Sequence, residues 1–281
     1  MKTRPGVELA SLTDVGCSRE NNEDSYSYWE AENDSVFDRL GRLAIVADGM
    51  GGYEGGQVAS RVAVETVTET YVCSHETDPQ QALLHSFAEA HLKIQERARE
   101  NPSLNAMGTT CTAFALVNGK LYFAHVGDSR LYLLRERQLR LLTRDHTLVA
   151  RWLEAGAIQP EEAANHPQRH VLTAALGVAE DLYPDYSPEP LITRTGDVLL
   201  LCTDGLWGQV SNDEIQNILS SKSAAAACNT LAQLAKDRGG PDNITLQIMR
   251  ILESRAEAFS ESSRSDKSLQ FGCFLMHRPG M

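Results

Sequence analysis

Three apolar runs in this chain stop at an aspartate beside a glycine, at Ala47-Asp48-Gly49, Val126-Gly127-Asp128 and Thr203-Asp204-Gly205. Pro241-Asp242-Asn243 stands just before a fourth run. A single Asp-Gly pair at a strand end is an ordinary turn. The combination constrains the fold more tightly. If those strand ends gather at one end of a sheet, the carboxylates converge, and converging carboxylates repel unless hard divalent cations neutralise them. With no C-x-x-C pair and no H-E-x-x-H helix, the oxygen donors favour Mg or Mn over Zn.

Hydrophobic periodicity supplies the strands that would carry those ends. Residues 7–12 are a short strand candidate, followed by a polar loop that ends in Asn21-Asn22-Glu23-Asp24. The compact apolar run at 43–47 is a strand that stops at Asp48-Gly49-Met50-Gly51-Gly52, where glycines let backbone approach a ligand. Val58, Val62, Val64 and Val67 mark a helix over 57–71. Asp78-Pro79 reads as an N-cap with proline at the first helical position, opening a second helix over 80–100. The period then changes to two: 112–117 and 121–126 flank the hairpin dipeptide Asn118-Gly119, and 131–134 and 139–142 follow, which predicts one antiparallel meander.

Downstream, a helix is expected over 147–154, ending at Gly156. The stretch 150–186, interrupted by prolines, reads as an irregular surface flap. A strand over 197–202 precedes Asp204. Ser211-Asn212-Asp213-Glu214 is a capping box opening a helix over 214–220. A further helix over 224–236 and a strand over 244–251 complete the pattern. Residues 1–252 are therefore expected to form one domain and 253–281 a disordered C-terminal tail, rich in Ser, Glu and Arg over 253–270 and apolar over 271–276, where it reads as a ragged terminus or else a docking peptide.

The 281 residues carry 38 acidic against 26 basic side chains, a formal net charge of −12. Phosphate-backbone binding needs clustered Lys and Arg, so nucleic acid is an unfavourable partner. The six cysteines, at 17, 73, 111, 202, 228 and 273, are scattered without a metal or redox spacing, which suits a reducing cytoplasm. A polar start and the lack of an apolar run of about 18 residues predict neither export signal nor membrane span.

The ordered motifs resemble the metal-dependent protein phosphatases of the 2C type, in their compact bacterial form. The resemblance runs through Thr13-Asp14-Val15-Gly16-Cys17-Ser18-Arg19-Glu20-Asn21-Asn22-Glu23-Asp24, Ala47-Asp48-Gly49-Met50-Gly51-Gly52 and Gly108-Thr109-Thr110. It continues through Gly127-Asp128-Ser129-Arg130, Asp145-His146, Cys202-Thr203-Asp204-Gly205 and Gly240-Pro241-Asp242-Asn243, and covers residues 7 to 251. It implies an α+β fold, a four-layer α-β-β-α sandwich of two antiparallel sheets flanked by helices. It further implies two Mn or Mg ions: Asp48 bridging both, Asp204 and Asp242 completing one site, and Glu23 with the Gly49 carbonyl the other. Asp128 would hold a third, weaker metal together with Asp204, or else act as a turn residue or buried acceptor. Asp24 would stand behind the metal ligands.

Arg19 would clamp the phosphate through its planar guanidinium, its alternative being a surface ion pair. The activity implied is hydrolysis of phosphoserine and phosphothreonine by direct attack of a metal-bridging water, with Asp48 and Arg19 as catalytic residues and no phosphoenzyme. The substrates would be phosphorylated proteins made by a bacterial serine/threonine kinase, and the enzyme a cytoplasmic monomer. Met50 stands where eukaryotic members carry a histidine proposed to protonate the leaving group. That proton would come from a metal-bound water, or less readily from His146 or His170. The rival reading is a catalytically silent phosphoprotein-binding or sensing module of the same fold.

Overall fold

A computed structural model describes residues 3–51, 54–164, 166–178 and 181–254. Among these residues the chain builds two antiparallel sheets. The first is ordered β1 (Val7–Asp14), β12 (Ile244–Ile251), β11 (Val198–Cys202), β7 (Arg130–Arg135) and β8 (Gln138–Leu141). The second is ordered β10 (Leu191–Ile192), β6 (Lys120–Val126), β5 (Cys111–Val117), β3 (Arg42–Met50) and β2 (Asp24–Glu30), with β4 (Gly108–Thr109) on the end of β3 and β9 (Asp185–Tyr186) on β6.

Period-two alternation gives each strand an inner and an outer face. Leu43, Ile45 and Ala47 of β3 point outward to α2 (Gly55–Cys73) and α3 (Pro79–Glu100), where Val67, Tyr71, Leu83 and Phe87 cover them. On the other sheet, Leu200 and Ile248 meet Ile215 of α7 (Asn212–Ser221) and Leu231 of α8 (Ala224–Asp237). Between the sheets lie Ala44, Val46, Phe114, Leu199, Leu201 and Met249. Each large apolar side chain buried in these layers is worth roughly 1.5–3 kcal/mol. The architecture is the four-layer α-β-β-α sandwich.

The helix boundaries follow their caps. Asp78 accepts from the Gln80 N–H at 3.0 Å with Pro79 at the first position, and Ser211 and Glu214 form the reciprocal capping box of α7. Thr147 caps α4 (Leu148–Glu154). Within the flap, α5 (Pro160–Ala164) adds a short helical turn.

One expectation needs correction, and two elements carried no clear signal in the sequence. The four strands over 111–141 are not one meander. Asn118 and Gly119 close a hairpin with left-handed φ values of 50° and 76°, but β6 belongs to the second sheet and β7 to the first. Gly127, at φ 106°, turns the chain from one sheet to the other, and Asp128 sits at that crossing. β2 was hidden because Asp24-Ser25-Tyr26-Ser27-Tyr28-Trp29-Glu30 is a half-buried sheet edge with no apolar run. Helix α1 (Asp34–Leu40) was hidden because it is a two-turn element carried by the Asn33 cap and the buried Phe37 and Leu40.

After β12, the Ser254 hydroxyl donates to the Thr193 carbonyl at 2.8 Å, which holds the chain to the fold at residue 254. The tail expected over 253–281 otherwise lies outside the described residues.

Candidate active site

Inner-face alternation carries the functional side chains. On β3 the inner positions are Ala44, Val46 and then Asp48; on β11 they are Leu199, Leu201 and then Thr203, one residue before Asp204. On β12, Met249 gives way to Gln247 and Thr245. The inter-sheet filling thus turns from apolar to polar toward one end of the sandwich. Gln247 fastens the sheets there, its Nε2 donating to the carbonyls of Ser27 and Ile45 at 3.0 Å each.

Asp24 and Asp48 are direct register partners on β2 and β3. Thr203 Oγ1 donates to Asp24 Oδ2 at 2.8 Å. The Asp48 N–H donates to Thr110 Oγ1 at 2.9 Å, and Thr110 shares a 2.7 Å hydrogen bond with Ser129, beside Asp128. Trp207 of α6 (Asp204–Trp207) donates its indole N–H to the Asp128 carbonyl at 2.9 Å, while the Arg130 guanidinium lies 3.7 Å over the same indole and forks onto Asp145.

Loop glycines bring the remaining acids in. The Gly49 N–H donates to the Glu23 carbonyl at 3.2 Å, and a Cβ on Gly49 would stand 2.1 Å from the Gly56 carbonyl. A Cβ on Gly56 would meet Glu23 Oε2 at 2.8 Å. Neither position tolerates a side chain without displacing Glu23 or the start of α2. Asn243 accepts from the Glu23 N–H at 2.8 Å and donates to the carbonyls of Val15 and Asn21 at 2.9 Å each, tying the Arg19 loop to the Asp242 turn. Arg19 Nη2 pairs with Asp242 Oδ2 at 2.8 Å. His170 Nδ1 lies 3.3 Å from Asp204 Oδ2.

Crowding of like charge shows in the protonation energetics. Burial, then the charges of Asp24, Asp204, Asp128 and Asp242, push the Asp48 carboxyl well above the usual carboxylate range. Asp128 is raised by burial and by Asp204. Asp24 is pushed up to about 7, chiefly by burial, against the hydrogen bonds of Thr245 and Thr203. Burial also raises Glu23, with Arg19 opposing.

Glu23, Asp24, Asp48, Asp128, Asp204, Asp242 and Arg19, all singled out from sequence, are thus brought to one end of the sandwich. Among the described residues no three acidic, imidazole or thiol groups close on a single point; Asp242 and Asp204 are instead paired with Arg19 and His170. The donor set still fits hard cations. Asp24 Oδ1 and Asp204 Oδ1 are buried with no hydrogen-bond partner among the described residues, and carboxylate oxygens are the donors that hard cations take. Of the two candidate histidines, His170 reaches the site. His146 is buried at the flap base, where its ring accepts from the Gly127 N–H at 3.2 Å and lies 3.2 Å from Asp185. Gly52 lies outside the described residues.

Sequence reasoning quoted Thr110, Thr203 and Asn243 within motifs without giving them a role and missed Ser60; all four hold the acids in place. Ser60 donates to the Glu23 carbonyl. For Thr203 the available signal was a polar residue that continues the apolar inner face of β11. No cysteine competes as a nucleophile from within the core: burial pushes the Cys202 thiol up to about 12 and raises Cys111 further.

Residues 18–247 match the family model described as protein phosphatase 2C. The chain is 35% identical over 256 residues to protein phosphatase PhpP of Streptococcus pneumoniae, across 89% of this chain and all of that protein. It superposes on the serine/threonine phosphatase of S. agalactiae with a TM-score of 0.79 at 34% identity, covering 87% of this chain and 99% of the other. It also superposes on the catalytic domain of the serine/threonine protein phosphatase PstP, solved in complex with two manganese ions, with a TM-score of 0.76 at 32% identity, covering 88% and 99%.

Proposed function

The chain belongs to the protein phosphatase 2C family and is a protein serine/threonine phosphatase, and from that premise we propose that Glu23, Asp48, the Gly49 carbonyl, Asp204 and Asp242 hold two Mn or Mg ions. Asp128, with Asp204, is proposed to hold a third. Bound cations of this kind supply an acidified water and offset charge on the phosphoryl oxygens.

The chain's own residues do the rest. With half its side-chain area exposed, Arg19 has room to leave Asp242 and give a phosphate two parallel hydrogen bonds. Asp24 stands behind Asp48 on the neighbouring strand and is oriented by Thr203. His170 can hold a proton at Nδ1 beside Asp204, and a departing serine or threonine alkoxide requires one.

The observation that carries this reading is the convergence of acids from separate segments on one end of the sandwich, with two of their oxygens buried and without a hydrogen-bond partner among the described residues. A silent binding module would lack a metal carboxylate or the phosphate clamp, and Glu23, Asp48, Asp204, Asp242 and Arg19 are all present. The test is phosphate release from a phosphothreonine peptide with Mn, with Mg and with excess chelator. Activity that needs metal and falls by orders of magnitude in Asp48→Asn supports the assignment; turnover that ignores chelator overturns it.

The substrates are phosphorylated proteins, and the proposed source of the phosphate is a bacterial serine/threonine kinase. A cytoplasmic setting is supported by free thiols at the five described cysteines. Among the described residues no helix is long and apolar enough to cross a membrane. Action as a monomer is supported by helices of the same chain covering the outer faces of both sheets. The proposed catalytic domain is 1–252, with 253–281 as an appended tail.

A further inference from the structure

Four arginines line one cavity of about 350 Å³ at the end of the sandwich opposite the carboxylates. Strand β7 runs from Arg130, near Asp128, to Arg135 at the cavity, and β11 runs back from Val198 at the cavity toward Asp204. Roughly 15 Å of strand separates the two ends. The cavity is walled by Arg135, Arg137, Arg194 and Arg250, with the backbone of Gly196 between them.

Much of this charge has a structural partner. Arg135 forks onto Asp197 at 2.8 and 2.6 Å, and Arg194 lies 3.2 Å from Glu136. Arg250 donates to the carbonyls of Leu219 and Lys222 at the end of α7, while its buried Nε has no hydrogen-bond partner among the described residues and the Glu8 carboxylate stands 3.9 Å away. Arg137 makes no ion pair among the described residues. Against these four guanidinium groups stand the carboxylates of Glu136 and Asp197 in the lining and of Glu8 beside Arg250, leaving one positive charge in a chain whose net charge is −12.

Local backbone keeps the cavity open and Arg137 over it. Glu136 and Arg137 both take left-handed φ values, 51° and 63°, in the turn joining β7 to β8. Gly196, at φ 91°, has open space where a Cβ would stand, and its N–H is already donated to the Ile251 carbonyl at 2.8 Å, so it gives the cavity room and not a donor. The Arg137 guanidinium, with no ion pair among the described residues, beside the open space at Gly196 suits a phosphate group, and the volume suits a small molecule better than a protein surface.

We propose that this arginine-lined cavity is a second anion site, which binds a small phosphate-bearing molecule separately from the hydrolytic centre. The test is backbone amide NMR on the full chain in Mg buffer, titrated with inorganic phosphate and with AMP. Saturable shifts are expected at Thr195, Gly196 and Arg137, retained in Arg19→Ala and weakened at least about tenfold in the Arg137→Glu, Arg194→Glu double variant. That variant should keep its activity on p-nitrophenyl phosphate, which verifies its fold. Should it fail to fold, Arg137→Gln removes one charge from an exposed turn and should weaken binding measurably. Tighter binding of AMP than of phosphate would mean that the cavity holds the nucleoside as well; equal binding would confine recognition to the phosphate. No saturation at these amides by about 10 mM of either probe, or shifts abolished by Arg19→Ala, would overturn the proposal.

Discussion

Arg19 Nη2 lies 2.8 Å from Asp242 Oδ2, so the group proposed to clamp the phosphate is paired with a carboxylate proposed to hold a metal. The pair is part-exposed and therefore of small energetic value in itself. Its consequence is an exchange of partners: a cation at Asp242 weakens the claim of that carboxylate on Arg19, and the guanidinium turns to the phosphate. Arg19→Ala should lower kcat/KM on a phosphothreonine peptide by about 10²–10³-fold, with much of the effect in KM. Arg19→Lys should recover part of the loss, because a point charge replaces a fork. Unaltered kinetics in both variants would reduce Arg19 to a surface ion pair.

Repulsion around Asp48 opposes folding whenever no cation offsets it. Asp24, Asp204, Asp128 and Asp242 all act on this one carboxylate. In chelator, Asp48→Asn should therefore be more stable than the native chain by about 1–3 kcal/mol. Adding Mn should raise the Tm of the native chain strongly and that of the variant much less, since a ligand stabilises only the state that binds it. Scanning calorimetry of both proteins with and without Mn decides this. A destabilised variant would mean that Asp48 supports the fold and does not strain it.

The sequence was most legible where one rule acted alone. The Asp78-Pro79 cap, the Ser211 capping box and the Asn118-Gly119 hairpin each depend on two to four adjacent residues, and each forms as expected. The crossing at Gly127-Asp128-Ser129 was not legible, because a strand that turns to the opposite sheet has the same local pattern as one that turns back. Edge strand β2 escaped for a related reason: its half-buried residues alternate weakly, so Tyr26, Tyr28 and Trp29 carry no clear strand period. The acids were visible one by one as strand-end Asp-Gly pairs. Their supports were not, since Thr203 reaches Asp24 and Asn243 reaches Glu23 across about 180 and 220 residues.

Gly205 tests how tightly the site is closed. A Cβ there would stand 1.9 Å from the Asn243 carbonyl, which is backbone that cannot move without pulling on Glu23, Val15 and Asn21. Gly205→Ala should cost about 2–4 kcal/mol in urea unfolding and abolish most activity. Gly156→Ala is the control: its φ is 67° but nothing lies within 4 Å of the new Cβ, so only the conformational penalty of about 1–2 kcal/mol should appear. Equal losses at the two positions would remove packing against Asn243 as the cause.

His125 makes stability depend on pH at a distance from the carboxylates. It is fully buried on β6, with Nδ1 2.8 Å from Thr112 Oγ1 and Nε2 2.9 Å from the Arg144 carbonyl, and its ring lies 4.8 Å from that of His146. Burial, followed by His146, depresses its pKa to about 4, against the Arg144 carbonyl and the charges of Asp145 and Asp185. The folded imidazole is therefore neutral across a range in which the unfolded one takes up a proton. Since the unfolded state binds more protons between pH 6.5 and about 4, stability rises with pH there. The contribution is complete above pH 6.5 and is lost as pH falls through 4, for a total of about 3 kcal/mol. Nε2 faces a carbonyl and so carries the proton, which leaves Nδ1 to accept from Thr112. Gln can offer a donor and an acceptor without titrating. In His125→Gln, urea unfolding at pH 4.5 and 7 should therefore differ by less than in the native chain. An unchanged difference would assign the acid limb to other groups, and a wider one would reverse the sign argued for His125.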